Sequence, residues 1–143
     1  MTPPYTYFID RALGKSVGKA LQEIGKNVEF HNNHFIPDCP DTEWLPVVSQ
    51  QNWIVLTKDI NIGRNVLEVL AIAEYNARVF ILTSGNITSS EMATIFQESI
   101  NKIEDIIRDY ESPFIAKINR NKDVNLWKSS RELQSEQSFN GIT

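Results

Sequence analysis

Three acidic positions stand where an α/β chain places its chemistry. Asp10 ends the apolar run Tyr5-Thr6-Tyr7-Phe8-Ile9, Asp59 follows the run Trp53-Ile54-Val55-Leu56-Thr57, and Asp41-Thr42-Glu43 opens a helical pattern. Carboxylates at the carboxyl ends of parallel strands face the crevice in which open α/β sheets bind ligands. Held close together they repel one another unless a cation joins them, and oxygen ligands of this kind suit Mg²⁺ or Mn²⁺. A cation so held acidifies a water and offsets charge building on a phosphoryl group, which is the chemistry of phosphodiester cleavage. Each acid taken alone reads more simply as a helix or turn cap. Their matched positions in the chain are what bring a metal into the reading.

Basic residues accompany the acids. Arg11, Lys15 and Lys19 recur every four residues, which puts them on one face of a helix that starts beside Asp10. Lys58 and Arg64 flank Asp59. Together they could hold phosphates; an ordinary solvated helix face is the competing reading. His34, Phe35 and Trp44 could stack on bases, although Trp44 sits among Leu45, Val47 and Val48 and suits a core. His31, His34 and Cys39 lack a fourth ligand and a familiar zinc spacing.

The elements that must position these residues alternate. Tyr5 to Ile9 reads as a strand, and Leu13, Val17, Ala20, Leu21 and Ile24 keep a helical period that Gly25 ends. Val28 to His31 is a short second strand, and the segment from Asn32 to Pro40 is a loop. Asp41 is a plausible N-cap, with Pro46 either interrupting the first turn or beginning the regular helix. Strands follow at Trp53 to Thr57, Arg78 to Thr83 and Phe114 to Ile118, separated by a helix from Val66 to about Tyr75 and a long one from about Ser89 to Tyr110. Val124 to Trp127 could return as a short hairpin. Such alternation predicts one three-layer α/β domain with a mostly parallel, five-stranded sheet, spanning 1–127. The polar stretch 128–143 reads as a flexible tail.

Bulk properties agree. A chain of 143 residues with 41% hydrophobic content suffices for one core. A single cysteine excludes an internal disulfide framework. No basic, apolar leader opens the chain and no apolar run reaches a membrane span, so a cytoplasmic protein without a membrane partner is expected. The net charge of -4 is a poor footprint for nucleic-acid binding as a whole, although local arrangement matters more than the sum.

The chain also resembles a family. Phe8-Ile9-Asp10-Arg11-Ala12-Leu13-Gly14, His34-Phe35-Ile36-Pro37-Asp38, Asp41-Thr42-Glu43-Trp44-Leu45-Pro46, Leu56-Thr57-Lys58-Asp59 and Leu82-Thr83-Ser84-Gly85-Asn86 are similar, in that order, to segments of the PIN-like domains of the VapC toxin group. The likeness runs from about Tyr7 to Val124. It implies a PIN-like fold and a Mg²⁺- or Mn²⁺-dependent ribonuclease that acts on RNA and pairs with an antitoxin protein. By position, Asp10, Glu43 and Asp59 match the catalytic, metal-binding acids. Asn61 stands where many such domains carry a fourth acid, and Asp41, Asp38 or Asn61 itself could complete the set. Arg11, Lys15, Lys19, Lys58 and Arg64 would then bind substrate, with Thr57 orienting Asp59. Surplus apolar surface on the long helix would serve a homodimer or the antitoxin.

Two other functions fit parts of the pattern. A receiver-like phosphoacceptor domain would use Asp59, Thr83 or Ser84, and Lys117, but it needs paired acids where only Asp10 stands. A PIN-like module without turnover would bind RNA or protein through the same surfaces.

Overall fold

The computed structural model of the chain describes residues 5–141, with side chains through residue 136. Residues 1–4 of the expected domain and 142–143 of the expected tail lie outside it. Strand β1 (Thr6–Ile9) leads through a 3-10 turn at Arg11–Leu13 to helix α1 (Lys15–Glu23). Next come β2 (Asn27–Phe30), α2 (Asp41–Gln50), β3 (Ile54–Thr57), α3 (Val66–Glu74), β4 (Arg78–Leu82) and α4 (Ser89–Asp109). The described chain finishes with β5 (Phe114–Ile118), β6 (Val124–Lys128) and α5 (Ser130–Gly141).

The sheet runs β2-β1-β3-β4-β5-β6. The first five strands pair in parallel, with Ile9 opposite Leu56 and Leu56 opposite Phe80. Tyr7, Phe8 and Ile9, all of β3 and most of β4 are buried on both faces, which is why their sequences are continuous apolar runs rather than alternations. Alternate residues feed two cores. Tyr7, Ile9, Leu56 and Phe80 pack with Val17 and Leu21 of α1 and Phe96 and Ile103 of α4. Phe8, Val55, Val79 and Ile81 pack with Trp44 and Val48 of α2 and Val69 and Ile72 of α3. The three-layer α/β/α architecture is the one expected from the alternation.

Several boundaries differ from expectation for identifiable reasons. The sheet has six strands rather than five, because β6 returns antiparallel onto β5 through a turn at Arg120 and Asn121, closed by the Lys122 N–H on Asn119 O at 3.0 Å, pairing Val124 with Ile118. The expected flexible tail forms α5. Ser129 and Glu132 cap it reciprocally, each side chain accepting the other's backbone N–H at 3.2 Å. Leu133 is fully buried against the α3 layer. Among the described residues a cap, the buried Leu133 and the Lys128–Glu136 ion pair hold a helix whose composition otherwise reads as tail. In α2 the helix begins at Asp41 with Pro40 as its N-cap and runs through Pro46. The end of α1 follows the glycine rule: Gly25 sits at φ 85° and the Lys26 N–H bonds back to Leu21 O at 3.0 Å.

Candidate metal centre

The strand order reverses between β1 and β3: the chain goes outward from β1 to β2, then returns to the other side of β1. Doubly wound sheets open a crevice at such a point, above the carboxyl ends of the strands. Asp10 leaves β1 there and Thr57 ends β3 there. The Asp10 N–H bonds to Leu56 O at 3.0 Å, so the two strand ends are stitched together. Asp10 is only 7% exposed and Thr57 is fully buried. The Thr57 hydroxyl donates to Asp10 Oδ2 at 2.6 Å and accepts the Asp59 N–H at 3.1 Å. Asp10 occupies the N-cap position of the 3-10 turn at Arg11–Leu13, yet its side chain makes no cap bond. Asp59 does cap the next turn, its Oδ1 accepting the Asn61 N–H at 3.0 Å.

Two helices deliver further acids to the same crevice. Asp41 is the first residue of α2, and the indole N–H of the buried Trp44 donates to its Oδ1 at 2.8 Å. Glu68 lies in the first turn of α3, where the helix dipole favours an anion. Burial raises the Glu68 carboxyl from 4.5 to about 8, reinforced by hydrogen-bond contact with Asp41 and by the charges of Asp41, Asp59 and Asp10. Asp10 is raised mainly by burial and also by the Asp41 charge, while the Thr57 hydrogen bond and His31 pull it down. Glu68 Oε2 is buried and receives no N–H or O–H donor. With both carboxyls ionised, Glu68 and Asp41 repel; a shared proton or a cation resolves the contact.

The charges of Asp41, Asp59 and Asp10 all act on Glu68, and its Oε2 is buried without a hydrogen-bond partner. Among the described residues no three of His, Cys, Asp and Glu stand close enough together to hold a metal ion between them. Mg²⁺ keeps several waters and takes only one or two carboxylates directly, so a loose set of acids suits it.

Glu43 is not brought into this set. It is exposed, and its Oε2 lies 3.9 Å from Cys39 Sγ. Residues two apart on an α-helix point about 200° apart, so only one of Asp41 and Glu43 can face the crevice. Asp41 shares the buried stripe of Trp44, Leu45 and Val48 and therefore takes that place. Glu68 was missed because it stands inside the apolar stretch Val66 to Leu70 and reads as the exposed side of a helix. The available signal was the same fact read otherwise, a lone acid in the first turn of a helix that starts at the carboxyl edge. Asn61 contributes its backbone N–H to Asp59, and its side chain is in no described contact with the acids. Asp38 is exposed in the loop before α2.

The basic residues divide. Arg11, Lys15 and Lys19 line one cleft that includes Asp10. Lys58 is exposed immediately before Asp59. Arg64 lines a separate groove with Val66, Lys128 and Glu136. Trp44 is fully buried, stacked into a cluster with Phe8 at 5.1 Å, as its apolar neighbours suggested. The zinc alternative finds no cluster: His31 is in the aromatic core, His34 Nε2 pairs with Glu29 at 2.6 Å, and Cys39 faces Glu43. The receiver reading loses its lysine, since Lys117 Nζ stands 4.0 Å over the Trp127 ring, and the Thr83 hydroxyl donates to Ile118 O. No helix among the described residues is long and apolar enough to cross a membrane.

Comparison with known proteins agrees with the resemblance noted in the sequence. The chain is 27% identical over 122 residues to a Mycobacterium tuberculosis protein named as a candidate ribonuclease, VapC45, covering 82% of this chain and 88% of that one. No solved structure matches. A family model described as a PIN like domain matches residues 5–84, a span holding all four crevice acids, and the chain belongs to that PIN-like domain family.

Proposed function

We propose that the protein is a Mg²⁺- or Mn²⁺-dependent endoribonuclease, the toxin of a toxin–antitoxin pair, acting in the cytoplasm. The observation that supports this reading is the action of the Asp41, Asp59 and Asp10 charges on Glu68 above the β1/β3 strand ends, with a buried Glu68 oxygen that has no hydrogen-bond partner. The relative's name supports RNA as the substrate, and the resemblance to the VapC toxin group implies a cognate antitoxin as the partner.

In this reading the four carboxylates would hold the cation. When bound, it supplies charge neutralisation for the acids and the scissile phosphodiester and makes water acidic enough to attack. Thr57 holds Asp10 in one orientation and ties the Asp59 backbone to it. The Trp44 indole fixes Asp41 from the core side. Arg11, Lys15 and Lys19 give the substrate strand a cationic approach to Asp10 within an otherwise acidic protein. Hydrolysis would leave 5′-phosphate and 3′-hydroxyl ends.

The test is cleavage of a panel of single-stranded RNAs by purified protein, with Mg²⁺ or Mn²⁺ titrated in and removed by chelator. Metal-dependent products that vanish in Asp10→Asn support the enzyme. Binding without any product across the panel would instead identify a PIN-like module that has lost turnover.

A further inference from the structure

A cleft of about 300 Å³ opens between α1 and the end of β2, with Asp10 in its wall. That volume is at the lower end of the ~300–1,000 Å³ range of small-ligand pockets, so it has room for one nucleotide rather than a large ligand. Its three cations make no ion pair among the described residues, a state they share with Lys58, Arg78 and Lys117. Elsewhere, Lys26 pairs with Glu104 at 3.0 Å, Lys122 with Glu98 at 2.6 Å and Lys128 with Glu136 at 2.7 Å. Lys15 and Lys19 make no ion pair among the described residues, and Arg11 reaches only the Pro37 carbonyl at 3.4 Å. A protein of net charge -4 that leaves three cations open around one cleft presents it to an anion.

The rest of the wall is polar in a different way. Gln22 comes from α1, and Asn32 and Asn33 from the 3-10 turn after β2. All three side chains are solvent-exposed and make no hydrogen bond among the described residues, so their amides are open to a ligand. An amide carries donors and an acceptor side by side, which matches the edge of an unpaired base. Phe30 adds an aromatic wall; it lies so close to α1 that any Cβ at Gly18 would run into its ring. His31, also in the wall, is 3% exposed with Nδ1 lacking a partner.

We propose that this cleft receives one nucleotide of a single-stranded RNA beside the cleaved phosphodiester, with Arg11, Lys15 and Lys19 on phosphate and the amides of Gln22, Asn32 and Asn33 reading the base. The proposal rests on the nuclease reading, which is what places a phosphodiester at Asp10.

The experiment titrates the full chain, in chelator, with the four 5′-ribonucleoside monophosphates, short oligoribonucleotides and inorganic phosphate, followed by NMR. Wild type is expected to prefer one base. The double variant Asn32→Ala, Asn33→Ala is expected to lose roughly tenfold in affinity for it, the size of one or two net hydrogen bonds, while inorganic phosphate binds unchanged. Equal affinities in wild type and variant overturn the base-reading role, as does inorganic phosphate binding as tightly as every nucleotide. Binding of free nucleotides without oligoribonucleotides removes the RNA strand as the ligand. Absence of binding by any of them overturns the subsite altogether. Gln22→Ala, on the facing helix, supplies the same reading if the double variant does not fold. Neither metal nor cleavage enters this measurement, so its failure is separable from loss of the nuclease reading, which Asp10→Asn decides.

Discussion

Thr57 joins the two halves of the crevice: its hydroxyl donates to Asp10 Oδ2 at 2.6 Å and accepts the Asp59 N–H at 3.1 Å. The bond is wholly buried, so water cannot replace it. Thr57→Val keeps the shape and removes both functions. It is expected to cost about 1–3 kcal/mol in urea unfolding and, through misplaced acids, about 10–100-fold in cleavage. Thr57→Ser retains the hydroxyl and should behave nearly as wild type in both assays; a serine variant as impaired as the valine one would show that the methyl, not the bond, matters.

Asp41 and Glu43 separate by helix geometry. Asp41→Asn keeps the Trp44 bond through its amide oxygen and leaves α2 intact, yet it should abolish metal-dependent cleavage. Glu43→Gln, on the exposed side beside Cys39, should stay within about threefold of wild type, as surface changes usually do. The reverse ranking in a cleavage assay would return Glu43 to the metal set.

Glu68 predicts an inverted pH response in the metal-free protein. Its folded pKa, about 8, lies above the ordinary 4.5, and Asp10 is raised as well. The folded state therefore binds more protons than the unfolded one between those values. The stabilisation these groups bring is full below about 4.5 and is lost as pH rises through about 8. Thermal unfolding in chelator should show a falling midpoint across that window, flattened by Glu68→Gln. Added Mg²⁺ should stabilise more at high pH, where the acids are ionised. A midpoint in chelator that rises steadily to pH 8 would contradict the acid cluster.

The sequence showed the sheet and one side of the crevice plainly. The positions of Asp10 and Asp59 at the strand ends were legible because continuous apolar strands have unmistakable ends, although an acid there serves a cap as readily, as Asp59 does. Glu68 was not, because its partners come from three other elements and only the fold brings them together. The choice between Asp41 and Glu43 depends on helix phase, which the buried stripe of Trp44, Leu45 and Val48 encodes but Pro46 obscures. Helix α5 was under-read because polar composition outweighed a Ser-x-x-Glu cap and a single leucine, whereas β6 was anticipated as a hairpin strand.

That leucine gives a stability prediction. Leu133 is fully buried against the α3 layer, so Leu133→Ala should destabilise the protein by about 2–5 kcal/mol. Urea unfolding measures it directly. A change below about 0.5 kcal/mol, the level of surface substitutions, would mean that α5 adds nothing to the domain.

Asp10, Asp41, Asp59 and Glu68 are proposed to act together on one cation in cutting RNA. The most direct measurement is Mn²⁺-dependent cleavage of single-stranded RNA by purified wild type beside folded Asp59→Asn and Glu68→Gln. Products are expected from wild type only, and they are lost on chelation. Equal cleavage by either variant, or cleavage that persists in chelator, would contradict it.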